Sequence, residues 1–260
     1  MKRVATAAIL IPPILLVIFR GPDPILYAVV ATVACLCFHE FRGIAAAHGA
    51  RVPGPAGYVA GLLLLIIPGS AVLATLVFAA LLGLTLAMRS DNLKESLPAA
   101  GAFLLGVTYI FGAWRFAPAL RAISAHWLLF ALVINWIGDT GAYFTGRFLG
   151  RHKMAPRISP AKTWEGCAGS VLSSLLFGVL YVQWALPAVP LGISVGLSLA
   201  GNIAGQIGDL LESALKRGAG LKDSGSLLPG HGGWLDRVDS SLFALPVVHQ
   251  LLLFWQQAQR

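Results

Sequence analysis

Between Asp209 and Ser240 the chain gathers unlike charges around glycines. Asp209 opens the run Asp209-Leu-Leu-Glu212-Ser213-Ala-Leu-Lys216-Arg217, whose polar members recur every three or four residues and so share one helical face. From Gly218 the chain reads Gly-Ala-Gly-Leu-Lys222-Asp223-Ser224-Gly225-Ser226-Leu-Leu-Pro229-Gly230-His231-Gly232-Gly233-Trp234-Leu-Asp236-Arg237-Val-Asp239-Ser240. Glycines allow a backbone to approach a phosphate closely, and free N–H groups in such a turn form an anion-binding nest. Asp223, Asp236 and Asp239 flank this loop together with Lys216, Arg217, Lys222 and Arg237, the mixture that holds a metal-bound polyphosphate: acids bind the metal and bases the phosphates. Mg2+ takes one or two carboxylates and completes its shell with water and substrate phosphate, a demand that Asp209 and Asp236 meet. Their alternative role is a structural ion pair with a nearby lysine or arginine. Asp223 and Asp239 read equally well as loop or helix-capping residues, and His231 as a phosphate donor or as a cap on its turn.

A second basic loop carries Arg147, Arg151, Lys153 and Arg157, then Ile158-Ser159-Pro160-Ala161-Lys162-Thr163-Trp164-Glu165-Gly166. Most of these charges read as topology determinants. Lys162 differs, because a turn at Ser159-Pro160 and an interfacial Trp164 would set its ammonium at the depth of lipid phosphates. Asp139 lies within Asn135-Trp-Ile-Gly-Asp139-Thr140-Gly-Ala-Tyr143-Phe-Thr-Gly146, among small residues that allow close helix packing. It is either a site residue or a packing acid satisfied by Asn135, Thr140 and Tyr143. His39, His48, His126, His152 and His249 show no metal spacing, and Cys35, Cys37 and Cys167 read as small apolar residues.

The elements that position these residues must lie in lipid. Of 260 residues 57% are apolar and 12% charged, with a mean hydropathy of +0.77, which leaves too little polar material for a water-facing surface. The fold expected is all-α, a polytopic membrane bundle of about nine helices. Candidate spans run Val4 to Phe19, Pro24 to Phe38, Pro55 to Gly69, Ala71 to Met88, Pro98 to Ala113, Trp127 to Thr145, Ala168 to Leu186, Leu191 to Leu210 and Ser241 to Gln257. Pro55 to Gly69 is the weakest of them. Met1-Lys2-Arg3 and the apolar run behind it read as a first anchor, since no small-residue cleavage site ends the run. With nine spans, fifteen of the 19 Lys and Arg residues fall on the side of the N-terminus, which the positive-inside rule places in the cytoplasm with both basic loops. The net charge of +8 is read as a basic face toward anionic lipid or phosphate, with no nucleic acid partner. Residues 1–260 are read as a single membrane domain, with scaffold helices over 1–120 and catalytic helices and cytoplasmic loops over 121–260.

Ser213-x-Leu215-Lys216-Arg217, Lys222-Asp223-x-Gly225 and Leu228-Pro229-x-His231-Gly232-Gly233-x-x-Asp236-Arg237-x-Asp239 together resemble the signature of the phosphatidate cytidylyltransferase family. Ser159-Pro160-Ala161-Lys162-Thr163-Trp164-Glu165-Gly166 and Asp139-Thr-Gly-Ala-Tyr143 are similar to further family elements. Trp234 stands where the family carries a smaller aliphatic residue, and Ala161 where Lys or Gly is frequent.

The resemblance implies transfer of the cytidylyl group of CTP to phosphatidate, giving CDP-diacylglycerol and pyrophosphate for phospholipid biosynthesis at the cell inner membrane. By resemblance, Asp209 and Asp236 hold the metal and, with Lys162, form the catalytic set. Ser213, Lys216, Arg217, Lys222, His231 and Arg237 bind substrate alongside Asp139, Asp223 and Asp239. Mg2+ is required, K+ is allowed as a second cation, and a homodimer is expected. A secondary transporter would share the intramembrane acids but needs no glycine-rich basic loop. Another CTP-using lipid enzyme, such as a polyprenol kinase or an archaeal-type liponucleotide synthase, would share metal and basic loops.

Overall fold

The computed structural model describes residues 12–90, 92–227 and 232–259. The first half of Val4 to Phe19, the basic residues Lys2 and Arg3, and His231 lie outside the described residues. Ten helices are described in chain order: α1 (12–20), α2 (Asp23–Ala47), α3 (Gly54–Ile66), α4 (Val72–Ala87), α5 (Ser96–Gly106), α6 (Phe116–Ile123), α7 (Ala125–Phe148), α8 (Trp164–Ala185), α9 (Leu191–Gly218) and α10 (Leu235–Ala258). A π-helical turn, Val107–Gly112, continues α5, and two short antiparallel strands, β1 (Lys153–Ala155) and β2 (Ser159–Thr163), precede α8.

Seven helical segments among the described residues are long and apolar enough to cross a membrane, and each covers a span expected from sequence. The expected segment Pro55 to Gly69 forms α3, whose 13 residues rise only about 20 Å at 1.5 Å each, short of the hydrocarbon thickness. The count of nine is therefore approximate. Lipid-facing character is explicit on α8, where Leu172, Leu176, Leu180 and Trp184 form an exposed row at four-residue spacing.

The helices divide into two compact units. One comprises residues up to Arg115 together with Leu215–Arg237. Its core is aromatic: Phe38, Phe103 and Phe111 are fully buried, and Phe38 packs against Tyr58 and Phe111 at ring separations of 5.2 and 5.4 Å. Arg115 donates to the Leu64 carbonyl at 2.6 Å, satisfying a backbone acceptor in the last turn of α3.

The other unit comprises Phe116–Ala214 and Val238–Arg260. Here α7 and α8 run in close contact because small residues line the seam: a side chain at Gly141 or Gly169 would collide with Ser173 or Thr145. Several polar groups inside the spans pair with one another. Ser174 donates to the Ile134 carbonyl at 2.8 Å, Asn202 donates to Ser170 and Ser174, and Gln206 donates to Asn202 at 2.7 Å. Without water nearby, each such group needs a protein partner, so this chain of hydrogen bonds fixes the rotation of α9 against α7 and α8.

Candidate active site

In the second unit, Lys162 arrives at the site on β2. The turn that aims it lies at residues 156–158, because Ala155 pairs with Ser159. Ser159-Pro160 thus begins a strand, where the sequence suggested a turn; a two-stranded ribbon has the free edge that a proline without an N–H requires. Directly after Lys162, Thr163 caps α8, its hydroxyl accepting from the Gly166 N–H at 3.1 Å. Glu165 accepts from the Arg151 and His152 backbone N–H groups at 3.1 and 3.2 Å, tying the entrance of the loop to its exit. Lys162 Nζ, held by this frame, meets Asp209 Oδ2 of α9 at 2.7 Å. Ser213, one turn on, donates to the other Asp209 oxygen at 3.4 Å.

Asp139, Tyr143, Arg147, Lys162, Gln206 and Asp209 line one cavity of about 440 Å³. Of the partners expected to satisfy Asp139, Thr140 donates to the Trp136 carbonyl, the Tyr143 hydroxyl accepts from Arg147 at 2.6 Å, and Asn135 is buried against Gly205. Asp139 lines the cavity wall. Asp239 is buried on α10, accepts from Ser240 N at 2.7 Å, and lies within electrostatic reach of Asp209, Glu212 and Asp139. The cavity therefore joins two cations to a neighbourhood rich in carboxylates.

In the first unit the glycine-rich segment is built around two acids. Asp236 forms an ion pair with Lys216 and accepts backbone N–H bonds from Ser224 at 2.9 Å and Gly233 at 2.8 Å. Its own N–H approaches the Ser224 hydroxyl at 3.3 Å, so the two residues brace each other across the loop. The second acid is Glu40 of α2, only 3% exposed. Its carboxylate accepts from Trp234 N at 2.9 Å, Leu235 N at 2.8 Å and the Ser224 hydroxyl at 2.9 Å. Glu40 was not singled out from sequence, although an acid inside an apolar helix was a usable signal. Arg217 donates to the Leu221 carbonyl at 3.0 Å, and the His48 ring bonds the Leu215 carbonyl at 2.8 Å, closing the end of α9. Lys222 and Arg237 are exposed with no side-chain partner among the described residues, and Asp223 lies beside Gly232.

Among the described residues no three His, Cys, Asp or Glu side chains converge as a ligand set for one ion. A hard cation such as Mg2+ uses one or two carboxylates and takes its remaining oxygens from water and phosphate. Asp209 and Asp236 are oxygen donors of that kind, each now balanced by a lysine.

A sequence profile of the cytidylyltransferase family matches residues 1–255. A protein of Staphylococcus aureus (strain COL) named phosphatidate cytidylyltransferase is 34% identical over 258 residues, covering 96% of this chain and 98% of the relative. Proteins of the same name from Staphylococcus haemolyticus and Staphylococcus saprophyticus are 41% and 40% identical over 150 residues, 58% of each chain. With the match running over both units and over both basic loops, this chain belongs to the cytidylyltransferase family.

Proposed function

We propose that this membrane protein transfers the cytidylyl group of CTP to phosphatidate, forming CDP-diacylglycerol and releasing pyrophosphate in phospholipid biosynthesis. The observation that carries the reading is the Lys216–Asp236 pair seated in a glycine-rich loop, in a chain of the cytidylyltransferase family. A phosphate oxygen of phosphatidate attacks the α-phosphorus of CTP, and the bond to the bridging oxygen of pyrophosphate breaks. The nucleophile is already anionic near neutral pH, so no strong general base is needed. The difficulty is electrostatic: two anions must meet in line, and the leaving group gains charge.

The residues answer that difficulty in separate roles. Lys162, paired with Asp209, orients the lipid phosphate at the start of α8. Arg147 and Tyr143 line the same cavity, and Asp139 and Ser213 help to hold its polar order. Lys216, Arg217, Lys222 and Arg237 neutralise the triphosphate, and Asp223, Asp239 and His231 complete the substrate-binding set. Mg2+ would supply further charge neutralisation to the polyphosphate, and the family resemblance names Asp209 and Asp236 as its carboxylate donors. K+ as a second cation and a homodimeric assembly rest on the family resemblance. A cell inner-membrane location with the chemistry on the cytoplasmic side rests on the distribution of Lys and Arg, and on α8 and α9, two helices long enough to span, lying between the basic loops in the sequence.

The position of the label tests this reading against lipid kinases. With γ-labelled CTP and phosphatidate, label must stay in water as pyrophosphate while CDP-diacylglycerol appears by mass spectrometry. Label entering the lipid phase from the γ position would assign phosphoryl transfer instead.

A further inference from the structure

A second cavity, of about 370 Å³, lies in the first unit, where the α2–α3 and α4–α5 junctions come together. Among the described residues it shares none with the glycine-rich loop. Arg51 and Arg89 line it, both exposed, and neither guanidinium has an ion pair or hydrogen bond among the described residues. The carboxylate in the described lining, Glu95, accepts the Asn92 amide at 3.0 Å and is thereby turned to local use. Ser96 donates to the Ala87 carbonyl at 3.0 Å, pinning the end of one span to the start of the next. The cavity therefore sits where spans end, at the depth of lipid headgroups.

Its walls are of two kinds. Arg51, Arg89, Ser90 and Asn92 form a polar side, whereas Leu86 and Ala87 form an apolar one. Met88, Leu93 and Leu97, which flank its lining residues in the chain, are each more than 70% exposed, an apolar rim that suits acyl chains. Two guanidinium groups without a partner among the described residues are a receptor for a phosphate, and arginine binds its oxygens bidentately. We propose that this cavity binds the headgroup phosphate of an anionic phospholipid, with its acyl chains over the Met88, Leu93 and Leu97 rim. The lipid is a bound component of the N-terminal unit, separate from the substrate handled at Lys162.

Native mass spectrometry of the full-length protein tests this, comparing wild type with the Arg51→Gln/Arg89→Gln variant. Phosphatidylglycerol, phosphatidylcholine and inorganic phosphate are the probes. Wild type is expected to retain one more phosphatidylglycerol than the variant, with affinity at that site reduced about 10-fold or more on losing two cations. Phosphatidylcholine is expected to distinguish the two proteins little, and inorganic phosphate not to displace the lipid. Equal phosphatidylglycerol binding by both proteins overturns the proposal, and displacement by inorganic phosphate alone overturns the lipid assignment in favour of a soluble anion. Because the double variant can be lost to misfolding, wild type is also footprinted with phenylglyoxal. Phosphatidylglycerol should slow modification of Arg51 and Arg89 where phosphatidylcholine does not, and unchanged rates at both arginines contradict the site.

Discussion

Glu40 and Ser224 stand 184 residues apart in the chain, yet the Glu40 carboxylate accepts the Ser224 hydroxyl at 2.9 Å. The same carboxylate takes the Trp234 and Leu235 N–H groups, so one buried side chain of α2 fixes both ends of the glycine-rich loop. Among the described residues its charge is offset by hydrogen-bond donors alone, an arrangement that leaves those donors stranded if the acid is removed.

Glu40→Ala is therefore expected to destabilise the loop by about 3 kcal/mol, since buried N–H groups lose their acceptor. Activity should fall while α2 remains helical. Glu40→Gln, which keeps an acceptor oxygen, should recover part of both. Thermal unfolding in detergent with parallel kinetics measures this. A Glu40→Ala protein of unchanged stability and unchanged KM for CTP would show that the clamp has no role in shaping the site.

Gly232 adopts φ +77°, and a Cβ there would lie 2.7 Å from an Asp236 oxygen. Gly232→Ala is expected to cost about 1–2 kcal/mol in backbone strain and to push Asp236 off its bonds to Ser224 and Gly233. The predicted result is a drop in kcat with little loss of secondary structure by circular dichroism. Full activity in the alanine variant would mean that the loop relaxes freely and that its conformation does not position Asp236.

Lys162 meets Asp209 at 2.7 Å across the second unit's cavity. Lys162→Met should lower kcat/KM by roughly 100-fold, the loss expected for one strong electrostatic contact. Lys162→Arg should recover only part of it, because a planar fork does not place its charge where a compact ammonium does. Steady-state kinetics in mixed micelles with varied phosphatidate gives both numbers, and a Lys162→Met enzyme within a few-fold of wild type would remove Lys162 from the site.

Much of this arrangement is legible in the sequence because its cues are local. Seven spans announce themselves by hydropathy, and the Lys216 to Asp236 segment by charges set among glycines. The pairing of Lys162 with Asp209 is less so, since it joins separate elements. Glu40 escaped for the same reason: its partners lie far along the chain, and Cys37-Phe38-His39-Glu40-Phe41-Arg42 looks like the polar end of a membrane helix. The Ser159-Pro160 turn was misplaced because proline favours both turns and strand edges, and the pairing of Ala155 with Ser159 decided between them. Hydropathy marked Pro55 to Gly69 as apolar, but the proline at Pro68 and the break after Ile66 leave α3 too short to span alone.

The central claim is metal-assisted cytidylyl transfer through Asp236. It is tested most directly by following label from α-labelled CTP into the lipid phase with purified protein and phosphatidate, with and without Mg2+, beside Asp236→Asn. The account predicts lipid labelling that requires Mg2+ and falls at least ~100-fold in the folded variant. Labelling that persists after chelation, or near-normal labelling by Asp236→Asn, would contradict it.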